Sequence, residues 1–316
     1  MFYSIKEKEA EKFISFLRKK RKVIAPVQED IVRYKILEDN NMVFQLPFYS
    51  FKKFIMPNKE EVFEFKNNKI KKKRKEKTDK LIFIMPRCDI NSFHVLDRLL
   101  LQKPVDSAYK KMRENSILIE FDCEEKKKSK YCFCESMNLI DYFDLKIYKQ
   151  KGYIIEARTS KGSKLIKNLL KKKKIRFKKP ISKQRKKISE KQIDKLADNF
   201  DNPLWQEYAK KCLSCGACTI VCPTCPCFRL RDSLDFNCIC GARIKEWSTC
   251  QTTDFTEVAG GHVFRKDRNS RLKHRIYHKL DYFKKEFNLH MCTGCGRCIA
   301  ACPTKIDMIE IIKKLK

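Results

Sequence analysis

The sequence predicts an α/β N-terminal domain followed by a mostly α-helical C-terminal domain, and three observations predict it. Short apolar runs alternate with amphipathic stretches through the first half of the chain. A dense basic stretch then interrupts it, and beyond that the cysteines crowd into sequence with few β-branched alternations. The chain divides accordingly into an α/β domain over residues 1–170, a basic linker over 171–190 and a helical domain over 191–316.

Taken in order, Leu81-Ile82-Phe83-Ile84-Met85 and Ile117-Leu118-Ile119-Glu120-Phe121 read as buried strands, and Phe93 to Leu101 carries apolar residues at helical spacing. Lys146-Ile147-Tyr148 and Tyr153-Ile154-Ile155 flank Gly152 as a hairpin, and Ser160 to Leu170 reads as a helix. Residues 171 to 187 hold eleven basic side chains and no acidic one, broken by Pro180. Ser189 can then cap a helix reaching Ala197, and Pro203 can open a second.

With 42% apolar residues in 316, the chain can bury a real core. It carries seventeen cysteines, an odd number, with no apolar signal stretch behind the charged N-terminus and no run long enough to span a membrane. The expected setting is therefore the cytoplasm, where thiols stay reduced and a high cysteine count points to metal or redox chemistry before disulfides. The net charge of +33 is mostly lysine in runs such as KKKRKEK at 71–77, which read as solvated loops; no nucleic-acid partner is expected. Only eight glycines are present, with neither G-x-G-x-x-G nor a P-loop, so the chain is expected to lack a flavin or NAD site of its own.

The chemistry lies in an internal repeat. CLSCGACTIVCP and CTGCGRCIAACP are one pattern written twice: Cys212, Cys215, Cys218 and Cys222 before Pro223, then Cys292, Cys295, Cys298 and Cys302 before Pro303. Three thiolates two residues apart can wrap three irons of one cubane, whereas the fourth cysteine starts a helix and serves the other cluster. Two [4Fe-4S] clusters follow: one on Cys212, Cys215, Cys218 and Cys302, the other on Cys292, Cys295, Cys298 and Cys222. This makes the second half a dicluster, ferredoxin-like domain. Gly216 and Gly296, at the same place in each loop, are expected to let backbone amides approach the cluster sulfides. Zinc favours pairs of Cys-x-x-Cys across a spacer and fits poorly. The C-x3-C-x2-C run at Cys218, Cys222 and Cys225 matches the radical SAM spacing, but it is embedded in the better ferredoxin match.

Cys88, Cys123, Cys132 and Cys134 form a second constellation. If the strands ending at Met85 and Phe121 are parallel neighbours, Cys88 and Cys123 emerge at one carboxyl edge, and Cys132 and Cys134 can return to it. Four thiols suit a third [4Fe-4S] cluster; unligated or redox-active thiols are the alternative. Cys225, Cys227 and Cys250 can shield a cluster, act as a regulatory thiol pair or belong to another metal site, while Cys238 and Cys240 look incidental. His274 and His278, one turn apart in RLKHRIYHKL, read as part of a basic surface helix.

Over most of its length the chain resembles the ferredoxin-like beta subunits of sulfhydrogenases and cytosolic nickel-iron hydrogenases, which are related to the iron-sulfur component of anaerobic sulfite reductase. The resemblance runs through PRCDINSFHVLDR, DCEE, CFCESM, NPLWQEYAKKCLSCGACTIVCPTCPCF, WSTC, VAGGHVFRKDRNSRLKHRIYHK and MCTGCGRCIAACP. It implies a non-catalytic electron-transfer subunit of a hetero-oligomer. Its expected neighbours are a catalytic hydrogenase or sulfite/sulfur reductase subunit on one side and, on the other, a flavin-containing NAD(P) subunit. The eight ferredoxin-motif cysteines match the family's one by one, and Cys88, Cys123, Cys132, Cys134, Cys225, Cys227 and Cys250 also have counterparts. One departure is Asn138, where the family has glycine after CFC-x-S-M. The alternative from the residues alone is a stand-alone iron-sulfur or thiol reductase using Cys132 and Cys134 or Cys225 and Cys227.

Overall fold

Runs of apolar residues bounded by turns make the first sheet. β6 (Leu81–Pro86) and β7 (Ser116–Phe121) are buried at every position and pair in parallel, Leu81 opposite Ser116 and Pro86 opposite Phe121. Such continuous burial requires cover on both faces. Alternate side chains supply two cores: Ile82, Ile84, Ile117 and Ile119 enter one, and Leu81, Phe83, Met85 and Leu118 the other. The described residues of this computed structural model are 1–67, 69–71, 79–124, 129–167, 169–170, 186–236 and 239–316. Most of the KKKRKEK run, the basic stretch 171–185 and Cys238 thus lie outside them.

Five more strands complete a seven-stranded sheet: β1 (Phe2–Ile5), β2 (Lys22–Gln28), β3 (Val32–Ile36), β8 (Leu145–Gln150) and β9 (Gly152–Ala157), in the order β1-β9-β8-β7-β6-β2-β3. The four central strands are parallel, and β1, β3 and β9 run antiparallel to their neighbours. The hairpin around Gly152 is present, with this glycine at φ +102 and its missing side chain facing the Ile5 carbonyl. Helices α1 (Ala10–Lys20), α2 (Arg87–Leu100), α3 (Ser107–Glu114) and α4 (Ser160–Ile166) accompany the sheet, α2 leaving directly from the carboxyl end of β6. The α/β reading of the first half holds.

The second half is not mostly helical, which corrects the sequence expectation. It contains α5 (Glu190–Asp194), capped by Ser189 with Gln192 in a reciprocal box, α6 (Leu204–Lys211), α7 (Ala217–Ile220), α8 (Arg268–Tyr277), α9 (Phe283–Phe287), α10 (Arg297–Ala300) and α11 (Met308–Lys314). It also contains β10 (Phe228–Leu234) and β11 (Cys240–Trp247), which continue into β4 (Lys59–Lys66) and β5 (Lys69–Lys71) as an antiparallel sheet ordered β10-β11-β4-β5. That sheet draws strands from both sides of the expected linker. Its strands escaped the hydrophobic pattern because β10 is exposed throughout and is held by cross-strand ion pairs, Arg243 to Asp232 at 2.6 Å and Arg229 to Glu246 at 2.7 Å.

Trp205, Tyr208, Leu272, Ile276, Tyr277, Leu280, Ile309 and Ile312 form the C-terminal core. Phe133 and Met137, from the loop between β7 and β8, insert into it and join the two halves. No helix among the described residues is long and apolar enough to cross a membrane.

Candidate iron-sulfur centres

The two cysteine loops are near copies in space as well as in sequence. Gly216 and Gly296 each open a short helix in the left-handed region, at φ 74, ψ −4 and φ 75, ψ 0. Two residues after the first cysteine of each motif, a backbone amide turns back onto its sulfur: Ser214 N to Cys212 Sγ and Gly294 N to Cys292 Sγ, both 3.4 Å. After the fourth cysteine a threonine hydroxyl meets the thiol, Thr224 with Cys222 and Thr304 with Cys302, both at 3.5 Å. Amide and hydroxyl donors of this kind stabilise a thiolate and tune any metal it holds.

The fourth cysteines cross over. A recess of about 570 Å³ is lined by Cys212, Cys215 and Cys218 of the first loop together with Cys298 and Cys302 of the second. Cys222 instead lies within electrostatic reach of Cys292 and Cys295. Burial pushes the Cys218 thiol up to about 12, with Arg275 opposing it, and burial and the neighbouring Cys298 push Cys292 up to about 12. Thiols so placed keep their protons until a metal displaces them. Among the described residues no three donors are gathered around a point that would suit a single metal ion. Soft sulfur donors spread around a recess, with amides aimed at them, fit a polynuclear iron-sulfur group.

The carboxyl edge of the seven-stranded sheet carries the second constellation. Cys88 is the second residue of α2, and Cys123 lies two residues beyond β7. The Cys132 and Cys134 sulfurs are 3.3 Å apart; Cys134 is in electrostatic reach of Cys88, and Cys88 of both Cys123 and Cys295. The structure therefore brings these four cysteines together beside the second ferredoxin loop.

That juxtaposition revises the reading of the glycines. A Cβ on Gly296 would meet the Tyr131 carbonyl oxygen at 2.5 Å, and one on Gly294 would meet the Cys134 backbone at 2.6 Å. In the second loop the missing side chains thus admit the segment bearing Cys132 and Cys134, which is tied down by Phe133 N to Gly294 O at 2.8 Å. At Gly216 the neighbour is only the Thr249 side chain, at 3.1 Å. Asn138 adopts φ 48, the conformation that favours glycine and that asparagine tolerates best among side-chain-bearing residues.

The same segment is clamped from α2. Arg297 in the second loop grips Asp89 through two bonds of 2.6 and 2.7 Å, Tyr34 donates to the same carboxylate at 2.5 Å, and Arg297 Nε reaches the Pro47 carbonyl at 2.8 Å. All three side chains are buried. A carboxylate and guanidinium can share a buried site only when paired and hydrogen-bonded like this.

The residues the sequence reading missed are on α8. RLKHRIYHK reads as a surface helix, yet Arg271, Arg275 and Lys279 are buried along one face at intervals of four and each reaches the first-loop segment. Arg271 donates to Ser214 Oγ at 3.2 Å, Arg275 to the Cys218 carbonyl at 3.0 Å, and Lys279 to the Thr224 hydroxyl at 2.9 Å. Lys279 sits where the helix widens into a π turn, His278–Tyr282, before α9. The signal was the spacing itself. His274 and His278 stack at 5.4 Å on the half-buried side; burial, then nearby cations, push both down to about 4, so both are neutral at pH 7.

Cys227 stands in hydrogen-bond reach of both Cys225 and Cys250. The hydrogen bond from Cys227 draws Cys250 down to about 7 against the effect of burial, and draws Cys225 below the ordinary thiol value. Cys240 begins β11, away from this group.

Comparison with known proteins agrees with this chemistry. The family model described as a 4Fe-4S dicluster domain matches residues 211–306, which contain both loops. The chain is 30% identical over 281 residues to sulfhydrogenase 2 subunit beta of Pyrococcus furiosus, covering 84% of this chain and 82% of that protein. Both loops, the Cys88 edge and the clamp that joins them fall in one chain of shared ancestry: it belongs to the sulfhydrogenase beta-subunit family of iron-sulfur proteins with a 4Fe-4S dicluster domain.

Proposed function

We propose that this chain is the electron-transfer subunit of a hetero-oligomeric oxidoreductase, binding two [4Fe-4S] clusters through crossed ligands. It relays single electrons between a catalytic hydrogenase or sulfur-reducing subunit and, at the other end, a flavin-containing NAD(P) subunit. The observation that carries this reading is the exchange of fourth cysteines: Cys302 lines the recess of Cys212, Cys215 and Cys218, and Cys222 keeps company with Cys292 and Cys295. Bound clusters would supply one-electron chemistry at potentials set by charge, hydrogen bonding and burial. The protein's part is to hold eight thiolates in two interleaved sets, to aim the amides of Ser214 and Gly294 at sulfur, and to place Arg275 against both loops. Arg275 has its Nε without a hydrogen-bond partner, which suits a cation facing a strongly anionic group.

Cys88, Cys123, Cys132 and Cys134 would hold a third [4Fe-4S] cluster, supported by their mutual proximity and by the nearness of Cys88 to Cys295. The three sites then form a row from the first loop through the second to the sheet edge. The named relative is a beta subunit, which supports an assembly of several different chains here too.

Single-cysteine variants test the crossing. In protein purified without oxygen, Cys302→Ala should abolish the same paramagnetic signal as Cys212→Ala, and Cys222→Ala the same one as Cys292→Ala, each with a loss of about four irons. If Cys222→Ala instead removed the signal lost in Cys212→Ala, each loop would close on itself and the relay reading would fall. Isolation of the intact complex from the native cell identifies the partner chains by their cofactors.

A further inference from the structure

Three buried cations surround the cysteines that neither ferredoxin motif claims. Lys52, in the turn Phe51–Phe54, is 4% exposed, lies 4.3 Å above the Trp247 ring and donates to the Thr219 carbonyl at 3.2 Å. Lys279 is 5% exposed and donates only to Thr224, at its carbonyl (3.1 Å) and hydroxyl (2.9 Å). Arg275 is 7% exposed and donates to the Cys218 carbonyl. Among the described residues none of the three meets a carboxylate. Each bears instead on the group formed by Cys225, Cys227 and Cys250: Lys52 on Cys225, Lys279 on Cys225 and Cys227, Arg275 on Cys250.

Burying an ammonium or guanidinium without a counter-charge is strongly unfavourable, and a hydrogen bond to a carbonyl does not neutralise it. Two neutral thiols, or a disulfide, leave these cations uncompensated. Thiolates bound to a metal centre compensate them permanently. We therefore propose that Cys225, Cys227 and Cys250 hold a further iron-sulfur centre, anchored by three protein thiolates and balanced by Lys52, Lys279 and Arg275. The inference adds to the proposed pair of clusters and rests on that reading only in assigning Cys222 elsewhere.

The pattern around this centre follows the ferredoxin loops. Sulfur donors are grouped without converging on a point for a single ion, which favours a polynuclear group over zinc. A side-chain amide also faces sulfur, Gln251 Nε2 to Cys250 Sγ at 3.5 Å. No fourth cysteine among the described residues is available, since Cys222 belongs to the other loop's set and Cys240 lies at the far end of β11, about 23 Å of strand from Trp247. One iron of such a centre would take a ligand other than cysteine.

The experiment counts iron and acid-labile sulfide per chain in oxygen-free wild-type protein and in Cys225→Ser/Cys227→Ser/Cys250→Ser. The expected result is a loss of about four irons and four sulfides, with the ferredoxin-loop signals retained. Cys212→Ser/Cys218→Ser, measured alongside, reports on the two-cluster reading separately: if only that variant keeps its iron, the two-cluster reading fails and this one stands. Where the triple variant does not fold, mass spectrometry after iodoacetamide treatment of native wild-type protein decides, and Cys225, Cys227 and Cys250 should be protected until the iron is stripped. Lys279→Met should lower the midpoint potential of the one signal that the triple variant lacks. Unchanged iron in a folded triple variant, prompt alkylation of all three thiols, or zinc in place of the lost iron would overturn the proposal.

Discussion

The two ferredoxin loops share a motif and a backbone conformation but not an environment. In the first, Cys215 is exposed, and Leu213 and Ile220 are 59% and 48% exposed. In the second, Cys295, Arg297 and Met291 are buried, and the chain around Cys132 and Cys134 packs directly on the glycines. A duplicated element thus became asymmetric through what was laid against it. One copy faces outward, where a partner protein can approach; the other is built into the α/β half, against Cys88.

The contrast can be broken most severely at the position after the second glycine of each motif, Ala217 in one loop and Arg297 in the other. Arg297→Met strands the Asp89 carboxylate in the interior and should cost about 3–5 kcal/mol in denaturant unfolding. Adding Asp89→Asn should recover much of that loss, whereas Ala217→Met, on a half-buried and unclamped helix start, should change stability by less than about 1 kcal/mol. Equal losses from Arg297→Met and Ala217→Met would mean that the clamp contributes nothing.

The glycines give a smaller effect of the same sign. Gly216→Ala carries the strain of a left-handed residue, about 1–2 kcal/mol, beside a threonine side chain that can yield. Gly296→Ala carries the same strain and must also displace the Tyr131 backbone, so it should melt lower by a further 1–3 kcal/mol or so. Thermal unfolding of the two variants side by side measures the difference.

The shallowest effect lies under the second loop. Glu120 is buried at the carboxyl end of β7 with Lys146 Nζ 2.7 Å from Oε1, near enough to pair but poorly aligned, so that neither carboxylate oxygen is hydrogen-bonded. Burial, only partly offset by Lys146, raises its pKa to about 7. Between an unfolded value near 4.5 and this one, the folded state holds the extra proton, and stability should fall as pH rises through that window, by at most about 1.4 kcal/mol per pH unit. Glu120→Gln should remove this slope; an unchanged slope would show that Glu120 is ionised in the folded protein throughout.

What was legible in the sequence was local or strongly periodic. Leu81–Met85 and Ile117–Phe121 announce buried strands, and their parallel pairing puts Cys88 and Cys123 at one edge, as their positions in the sequence suggest. Ser189 and Gln192 announce a helix start. The cysteine spacing marks both loops before any coordinates. The misses depend on partners distant in sequence. β10 and β11 carry charge on nearly every residue, and their reason for being strands is β4 and the ion pairs between them. Arg271, Arg275 and Lys279 look solvated because lysine and arginine almost always are; only the thiol-lined loops beneath them make burial tolerable. The Gly296 side-chain vacancy has no meaning until Tyr131 arrives beside it.

The sheet ordered β10-β11-β4-β5 also bears on how the chain is made. The β4–β5 hairpin leaves the ribosome in the first quarter of synthesis, while its partner β11 appears only after three quarters. At about 5–20 residues per second, an open strand edge waits for roughly ten to thirty seconds. The sequence of β4, Lys59-Glu60-Glu61-Val62-Phe63-Glu64-Phe65-Lys66, sets a charge beside almost every apolar residue, which keeps a nascent edge from pairing with its neighbours on the same message.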